Sequence, residues 1–117
     1  MEKLKPRLKL WFDNDSVSGV FGDGKWRLLK AIEETQSLSA ASRSLRISYR
    51  KAWGDLKKAQ DALGTALVQK QRGGSAGGKT VLTENGRRWI EAYAQFRRDV
   101  ETAVERAFKK RIEGLLR

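Results

Sequence analysis

The side chains able to do chemistry in this chain are cations, hydroxyls and carboxylates, because its 117 residues include no histidine and no cysteine. That removes thiol chemistry, disulfide scaffolds, histidine-based triads and zinc sites of the usual Cys/His kind. The acids are scattered along helical patterns. Gly78-Lys79-Thr80 reproduces only the closing triplet of a phosphate loop, without the strand–loop–helix setting that loop needs. No catalysis, metal or cofactor is therefore expected. The cations are more informative. Lys plus Arg number 25 against 14 Asp plus Glu, a formal charge of +11. Residues 37–82 hold nine of these bases and only two acids, Asp55 and Asp61, for a net +7, while the flanking segments carry +1 and +3. A field so concentrated attracts polyanions, with an affinity that falls as salt rises. Nucleic acid, an anionic membrane surface and an acidic protein are the candidate partners.

The elements that must position these bases follow from patterning. The length suits one domain. No apolar run approaches the ~18 residues of a membrane span, and the stretch from Met1 to Arg7 reads as an ordinary cytosolic start. Residues 7–12 alternate as a half-buried strand, with a short return strand over Val17 to Phe21. Asp23 is placed to cap a helix that runs to about Thr35 and carries Trp26, Leu29 and Ile32 on one face. Ser39 then caps a short helix, Ala40 to Leu45, and Arg46-Ile47 makes a tight turn. Ser48 caps a further helix that ends at Gly64. Its apolar positions Ala52, Leu56, Ala59 and Leu63 form one stripe. Arg50, Gly54, Lys57 and Asp61 lie opposite, Lys51 and Lys58 on one flank, Tyr49 and Trp53 on the other. Residues 67–72 and 79–82 read as a hairpin around the glycine-rich tip 73–78. Thr83 caps a last helix with Glu84 at its positive end. Two partly overlapping apolar stripes mark that helix, one from Trp89 through Tyr93, Phe96, Val100 and Ala103 to Ala107, the other from Ile90 through Val104, Phe108 and Ile112 to Leu115.

The predicted fold is mainly α with a small β component: a winged helix-turn-helix with an N-terminal strand or hairpin and a long C-terminal dimerisation helix. Residues 1–82 form the winged helix-turn-helix domain, with the wing at 67–82. Residues 83–117 form the C-terminal helix, shared between core packing and a dimer seam. A helix of this kind fits the major groove, and a glycine-rich hairpin can approach a phosphate backbone closely. The run from Ser37 to Trp53, above all Ile47-Ser48-Tyr49 and Ala52-Trp53, resembles the DNA-binding head of the molybdate-responsive ModE-type regulators. More distantly it resembles the LysR-type helix-turn-helix. The likeness continues through Leu67-Val68, the wing with Leu82-Thr83, and Gly86, and covers roughly residues 7 to 100. In that family the molybdate sites lie in C-terminal β-rich domains, so no molybdate site is expected in this chain, and the resemblance implies a DNA reader without its own sensor.

The resemblance implies a sequence-specific regulator of double-stranded DNA that acts as a homodimer through residues 83–117, in the cytoplasm on the nucleoid and away from membranes. Its expected DNA-contacting residues are Ser48, Tyr49, Arg50, Lys51, Lys57, Arg72 and Lys79. Arg50 is the preferred base reader, because its fork can bind guanine O6 and N7 together. Lys57 suits phosphate, and Arg72 and Lys79 suit the backbone beside the wing tip. Ser48 is first of all a cap. Tyr49 fits a phosphate, a thymine methyl or the core edge. Trp53 is expected to pack against the wing strand. Gly54 fits either close approach to DNA or plain tolerance, and Arg43 and Arg46 either touch phosphate or stay in water. Two other readings stay open: a nonspecific nucleoid or RNA-associated protein, and a winged-helix module for protein interactions.

Overall fold

The computed structural model describes residues 2–72 and 78–116. In chain order the elements are β1 (Trp11–Phe12), β2 (Phe21–Gly22), α1 (Asp23–Thr35), α2 (Leu38–Ser44), α3 (Tyr49–Leu63), β3 (Val68–Gln71), β4 (Lys79–Leu82) and α4 (Glu84–Arg111), with a closing 3-10 turn at Glu113–Leu116. Both strand pairs are antiparallel: β1 with β2, and β3 with β4 in the register Val68↔Leu82 and Gln71↔Lys79. This is the winged helix-turn-helix that the patterning predicts.

The core lies where α1, α2 and α3 meet. Leu29, Ile32, Ala41, Ala52 and Ala59 are fully buried there, and Phe21, Leu67 and Tyr93 close it from the N-terminal strands, the wing and α4. Of the predicted face of α1, Leu29 and Ile32 are buried and Trp26 is half-buried, and Leu28 and Ala31 are buried as well, because α1 is the central helix and packs against α2, α3, α4 and β4. Small alanines at the crossings let these short helices approach closely.

The caps explain the boundaries. Ser48 Oγ accepts the Lys51 N–H at 3.0 Å, Gly64 closes α3 at φ 68°, and Thr83 Oγ1 accepts the Gly86 N–H at 2.9 Å, all as expected. Two caps differ. Ser37, not Ser39, caps α2 by accepting the Ala40 N–H at 3.0 Å. Starting the helix earlier places Leu38, 5% exposed, in the core, while Ser39 Oγ accepts from Arg43 Nη1. The turn into α3 satisfies the last carbonyls of α2 through Arg46 N–H to Arg43 O at 3.1 Å and Ile47 N–H to Ser42 O at 3.0 Å. That geometry puts Arg46 at φ 57°, in the left-handed region.

Asp23 is the second difference. It does not cap α1; Gly22 flanks the helix and makes no side-chain cap bond. Asp23 is instead 7% exposed and forms a bidentate pair with Arg97 of α4, Nε to Oδ1 at 2.9 Å and Nη2 to Oδ2 at 3.2 Å. Tyr93 OH donates to Oδ1 at 2.6 Å and the Leu10 N–H to Oδ2 at 3.1 Å. Arg97 Nη2 also donates to the Leu8 carbonyl at 3.2 Å. Side chains thus hold the Leu8 carbonyl and the Leu10 N–H, while the Leu10 carbonyl accepts the Asp23 backbone N–H at 2.9 Å as well as the Tyr93 hydroxyl at 3.2 Å. Burial alone would raise the Asp23 carboxyl, but the hydrogen bonds from Arg97, Tyr93 and Leu10 outweigh it and hold the group at about 2. Burial and the Asp23 carboxylate push the Tyr93 phenol up, so it remains a donor.

Two tests follow from this packing. A Cβ at position 86 would overlap the Leu67 carbonyl oxygen, and a backbone atom cannot step aside. Gly86→Ala is expected to cost about 1–3 kcal/mol in urea unfolding, whereas Gly24→Ala, where a Cβ meets nothing, should not. The Asp23 carboxyl lies below its ordinary 3.8 in the folded state, so its stabilisation is complete above about pH 4 and is lost as pH falls toward 2, amounting to about 2 kcal/mol. The stability gap between the wild type and Asp23→Asn should therefore narrow over that interval in parallel urea titrations.

Candidate nucleic-acid interface

Helix α3 buries Ala52, Leu56 and Ala59, and at ~100° per residue that stripe turns Arg50, Gly54, Lys57 and Asp61 outward. Arg50 is exposed and makes no hydrogen bond or ion pair among the described residues. Lys57 shares the face but pairs with Asp61 at 2.9 Å. Lys51 leaves the face. It pairs with Asp55 at 3.1 Å and joins Lys9, Lys25 and Arg27 around a cleft of about 540 Å³ between the N-terminal strands, the start of α1 and the α2–α3 turn. Burial lowers the Lys25 ammonium there, with Lys58 and Lys51 adding to the effect and Asp55 opposing it. Both acids of the basic segment thus sit one turn after a lysine of the same helix. Exposed pairs of this type contribute about 0–1 kcal/mol, so a phosphate can displace Asp61 from Lys57 at little cost.

Ser48 is engaged as a cap, and its backbone starts the helix from an extended conformation. Tyr49 and Trp53 stand free of the core, 47% and 49% exposed. The expected packing of Trp53 against the wing strand is therefore corrected. Trp53 lies about 90° around the helix from the centre of the core stripe, and the interior it would have filled is closed by Leu67, Leu82 and the aromatics of α4. With Arg50, the two rings border a groove of about 290 Å³. At position 54 a Cβ would meet nothing within 4 Å, so internal packing does not require that glycine.

The wing is held against the same helix. The Gln60 side chain of α3 accepts the Leu67 N–H at 2.8 Å and the Val68 N–H at 3.1 Å. The Thr80 N–H of β4 donates to the Gln36 carbonyl at the end of α1, at 3.0 Å. The Thr83 hydroxyl donates to the Ala66 carbonyl at 2.7 Å. Lys79 faces Gln71 across the hairpin and Arg72 follows Gln71 directly, so both exposed cations belong to the end where the hairpin opens. Of the glycine tip, residues 73–77 lie outside the described residues.

A profile of bacterial regulatory helix-turn-helix proteins of the lysR family matches residues 24–87, from the start of α1 to the first turn of α4. The chain belongs to that family. The molybdenum transport protein ModE of Azotobacter vinelandii is 32% identical over 98 residues, 84% of this chain and 36% of its own length. The DNA-binding transcriptional dual regulator ModE of Escherichia coli K12 is 33% identical over 90 residues, 77% of this chain and 31% of its own length. The molybdenum-pterin-binding protein MopB of Rhodobacter capsulatus is 42% identical over 66 residues, 56% of this chain and 24% of its own length. The chain thus spans about a quarter to a third of the length of these curated relatives. Among solved structures, the CbnR_DBD–DNA complex superposes with a TM-score of 0.57 at 17% identity, over 74% of this chain and 94% of that one. The BenM_DBD/benA site 1 DNA complex gives 0.54 at 22%, over 76% of this chain and 95% of that one. At these identities the likeness is one of fold.

In this lysR-family head, sequence reasoning missed three features. The Lys51–Asp55 and Lys57–Asp61 pairs were legible from their i,i+4 spacing. Gln60 carried no local signal, because its partners lie seven and eight residues on in another element. Exposure of Trp53 depended on what else filled the core. Removing the Gln60 amide by Gln60→Ala leaves two part-buried N–H groups without their acceptor, which should cost about 1–3 kcal/mol. Hydrogen exchange should then accelerate first at Leu67 and Val68 and leave the α1 amides slow.

Proposed function

We propose that this chain is the DNA-reading part of a sequence-specific transcriptional regulator. Helix α3 enters the major groove of double-stranded DNA and the β3–β4 wing lies on the adjacent backbone. Arg50 reads a base edge, Lys57 exchanges Asp61 for a phosphate, and Arg72 and Lys79 take the sugar-phosphate chain beside the wing. Ser48 orders the first turn of α3, and Lys51 adds charge at its flank. The observation that carries this reading is the fixed pairing of two cationic elements: an outward helix face with Arg50 at its N-terminal end, and a hairpin tied to the same helix by Gln60. The fold likeness to domains crystallised on DNA and the kinship with a DNA-binding transcriptional regulator support it. Molybdenum appears in the names of relatives of which this chain spans only a part, and no oxyanion chemistry is assigned to its residues.

The regulator acts as a homodimer through α4. Arg97 makes the last side-chain hydrogen bond from α4 to another element among the described residues. Beyond it the helix carries Val100, Val104 and Phe108, half-buried, and Ile112, 37% exposed, at steps of four. Leu115 and Leu116 follow at 78% and 50% exposure. A second copy is the natural cover for such a stripe, and a two-fold pair places two reading heads on one duplex. Membrane is not a partner, and the site of action is the cytoplasmic nucleoid.

Selection of bound sequences from a random duplex pool tests this reading. A palindromic or pseudo-palindromic site should emerge, preferred over random DNA by ~10³ or more. Against that site, Arg50→Ala should relax one base position by about 1–3 kcal/mol, while Lys79→Ala should weaken all sequences alike and lower the salt slope by about one. Enrichment without any common sequence would instead mark an architectural, nonspecific binder.

A further inference from the structure

Six of the aromatic side chains, Phe12, Phe21, Trp26, Trp89, Tyr93 and Phe96, form one connected set of edge and tilted contacts between the N-terminal strands, α1 and α4. Tyr49 and Trp53 belong to no part of it. They stand one turn apart on α3 and are about half exposed. Neither is among the half-buried side chains packed on the core. The Trp26 indole N–H donates to the Ile90 carbonyl at 3.3 Å, whereas the Trp53 indole N–H donates to no group among the described residues. The protein thus leaves about half of two large rings, one of them with a usable donor, open at this surface. The groove they border with Arg50 is small, about 290 Å³, and it opens on the side of α3 that carries the Arg50 guanidinium.

We infer that Tyr49 and Trp53 form an aromatic clamp that reads the C5-methyl group of a thymine beside the base pair contacted by Arg50. The inference rests on the groove placement of α3 proposed above. In the major groove a T·A pair shows a methyl next to the O4 acceptor, while C·G shows an N4 donor and no methyl. Two ring faces one helical turn apart suit a methyl, which gains by leaving water and needs no hydrogen bond. The indole N–H suits an acceptor such as O4 or a phosphate oxygen, and the Tyr49 hydroxyl suits a phosphate. Arg50 reads one guanine, and a cation gains nothing from the methyl of a neighbouring thymine, the second letter of the site. The clamp supplies that second letter.

The experiment uses the full chain and the duplex selected from the random pool. Each thymine of one half-site is replaced in turn by deoxyuridine, which deletes the methyl and leaves pairing and every hydrogen-bonding group unchanged. One position, next to the guanine whose recognition Arg50→Ala abolishes, should lose roughly 3- to 10-fold in affinity, about what the burial of one methyl yields. Exchange of that T·A pair for C·G should weaken binding further, and 5-methylcytosine at the same place should recover part of the loss. Trp53→Ala should bind more weakly but equally to thymine and deoxyuridine duplexes. Trp53→Phe and Tyr49→Phe, which keep ring faces, should remain sensitive. Trp53 is half exposed, so the alanine variant should retain wild-type circular dichroism; if it does not, Tyr49→Ala, which removes the other ring and should lose the same sensitivity, carries the test. If a selected site binds tightly but no single deoxyuridine changes affinity by 2-fold, or if Trp53→Ala keeps the wild-type sensitivity, the clamp is wrong and the regulator stands. If no sequence is enriched at all, the DNA-reading proposal falls and takes the clamp with it.

Discussion

The Asp23–Arg97 pair is the constraint on which the arrangement of this molecule depends. A nearly buried carboxylate is tolerable only when fully partnered. Its partners come from two distant parts of the chain: Arg97 and Tyr93 from α4, and the Leu10 amide from the N-terminal segment. Arg97 in turn ties down the Leu8 carbonyl and Glu101. Satisfying one carboxylate therefore fixes where the long helix leaves the head and where the N-terminal segment lies. Since α4 carries the apolar stripe proposed as the dimer seam, this polar hub would also set the spacing of two reading heads on one duplex.

Once α1 and α4 are locked together, the reading surface is placed by a few neutral hydrogen bonds. Gln60 and Gln36 hold the two strands of the wing to α3 and to the end of α1. Gly86 lets α4 start against the Leu67 carbonyl, where any side chain would collide. The cations add little to this rigidity. Their pairs are exposed and exchangeable, which suits groups proposed to leave a carboxylate for a phosphate. Stability and recognition are thus divided between the polar hub on one side and the mobile charges on the other.

Within α3 the same division appears residue by residue. Lys51 and Lys57 each have an acid one turn on, yet the first, on the flank, lines the cleft beside α1 and the second stays on the outer face. Arg50 alone of the three has no carboxylate one turn on. Trp53 shows how a local pattern can mislead. Its position half-way round the helix suited burial, but the core is closed by Leu67, Leu82 and the rings of α4, and about half of the indole stays exposed.

By itself the sequence determined the order and type of the helices, the caps at Ser48 and Thr83, the stop at Gly64, the wing pairing and the concentration of positive charge. These follow from signals that act within one or two turns: spacing of apolar residues, a hydroxyl before a helix, a glycine after it. Only the tertiary structure decided the fate of Asp23, whose partner Arg97 lies 74 residues away. It likewise decided the choice of Ser37 over Ser39, which turns on burying Leu38. The grip of Gln60 on the wing and the exposure of Tyr49 and Trp53 belong to the same class. Each depends on which distant surface reaches a side chain first. That is settled by the competition for a limited interior and by the cost of leaving a buried polar group unpaired.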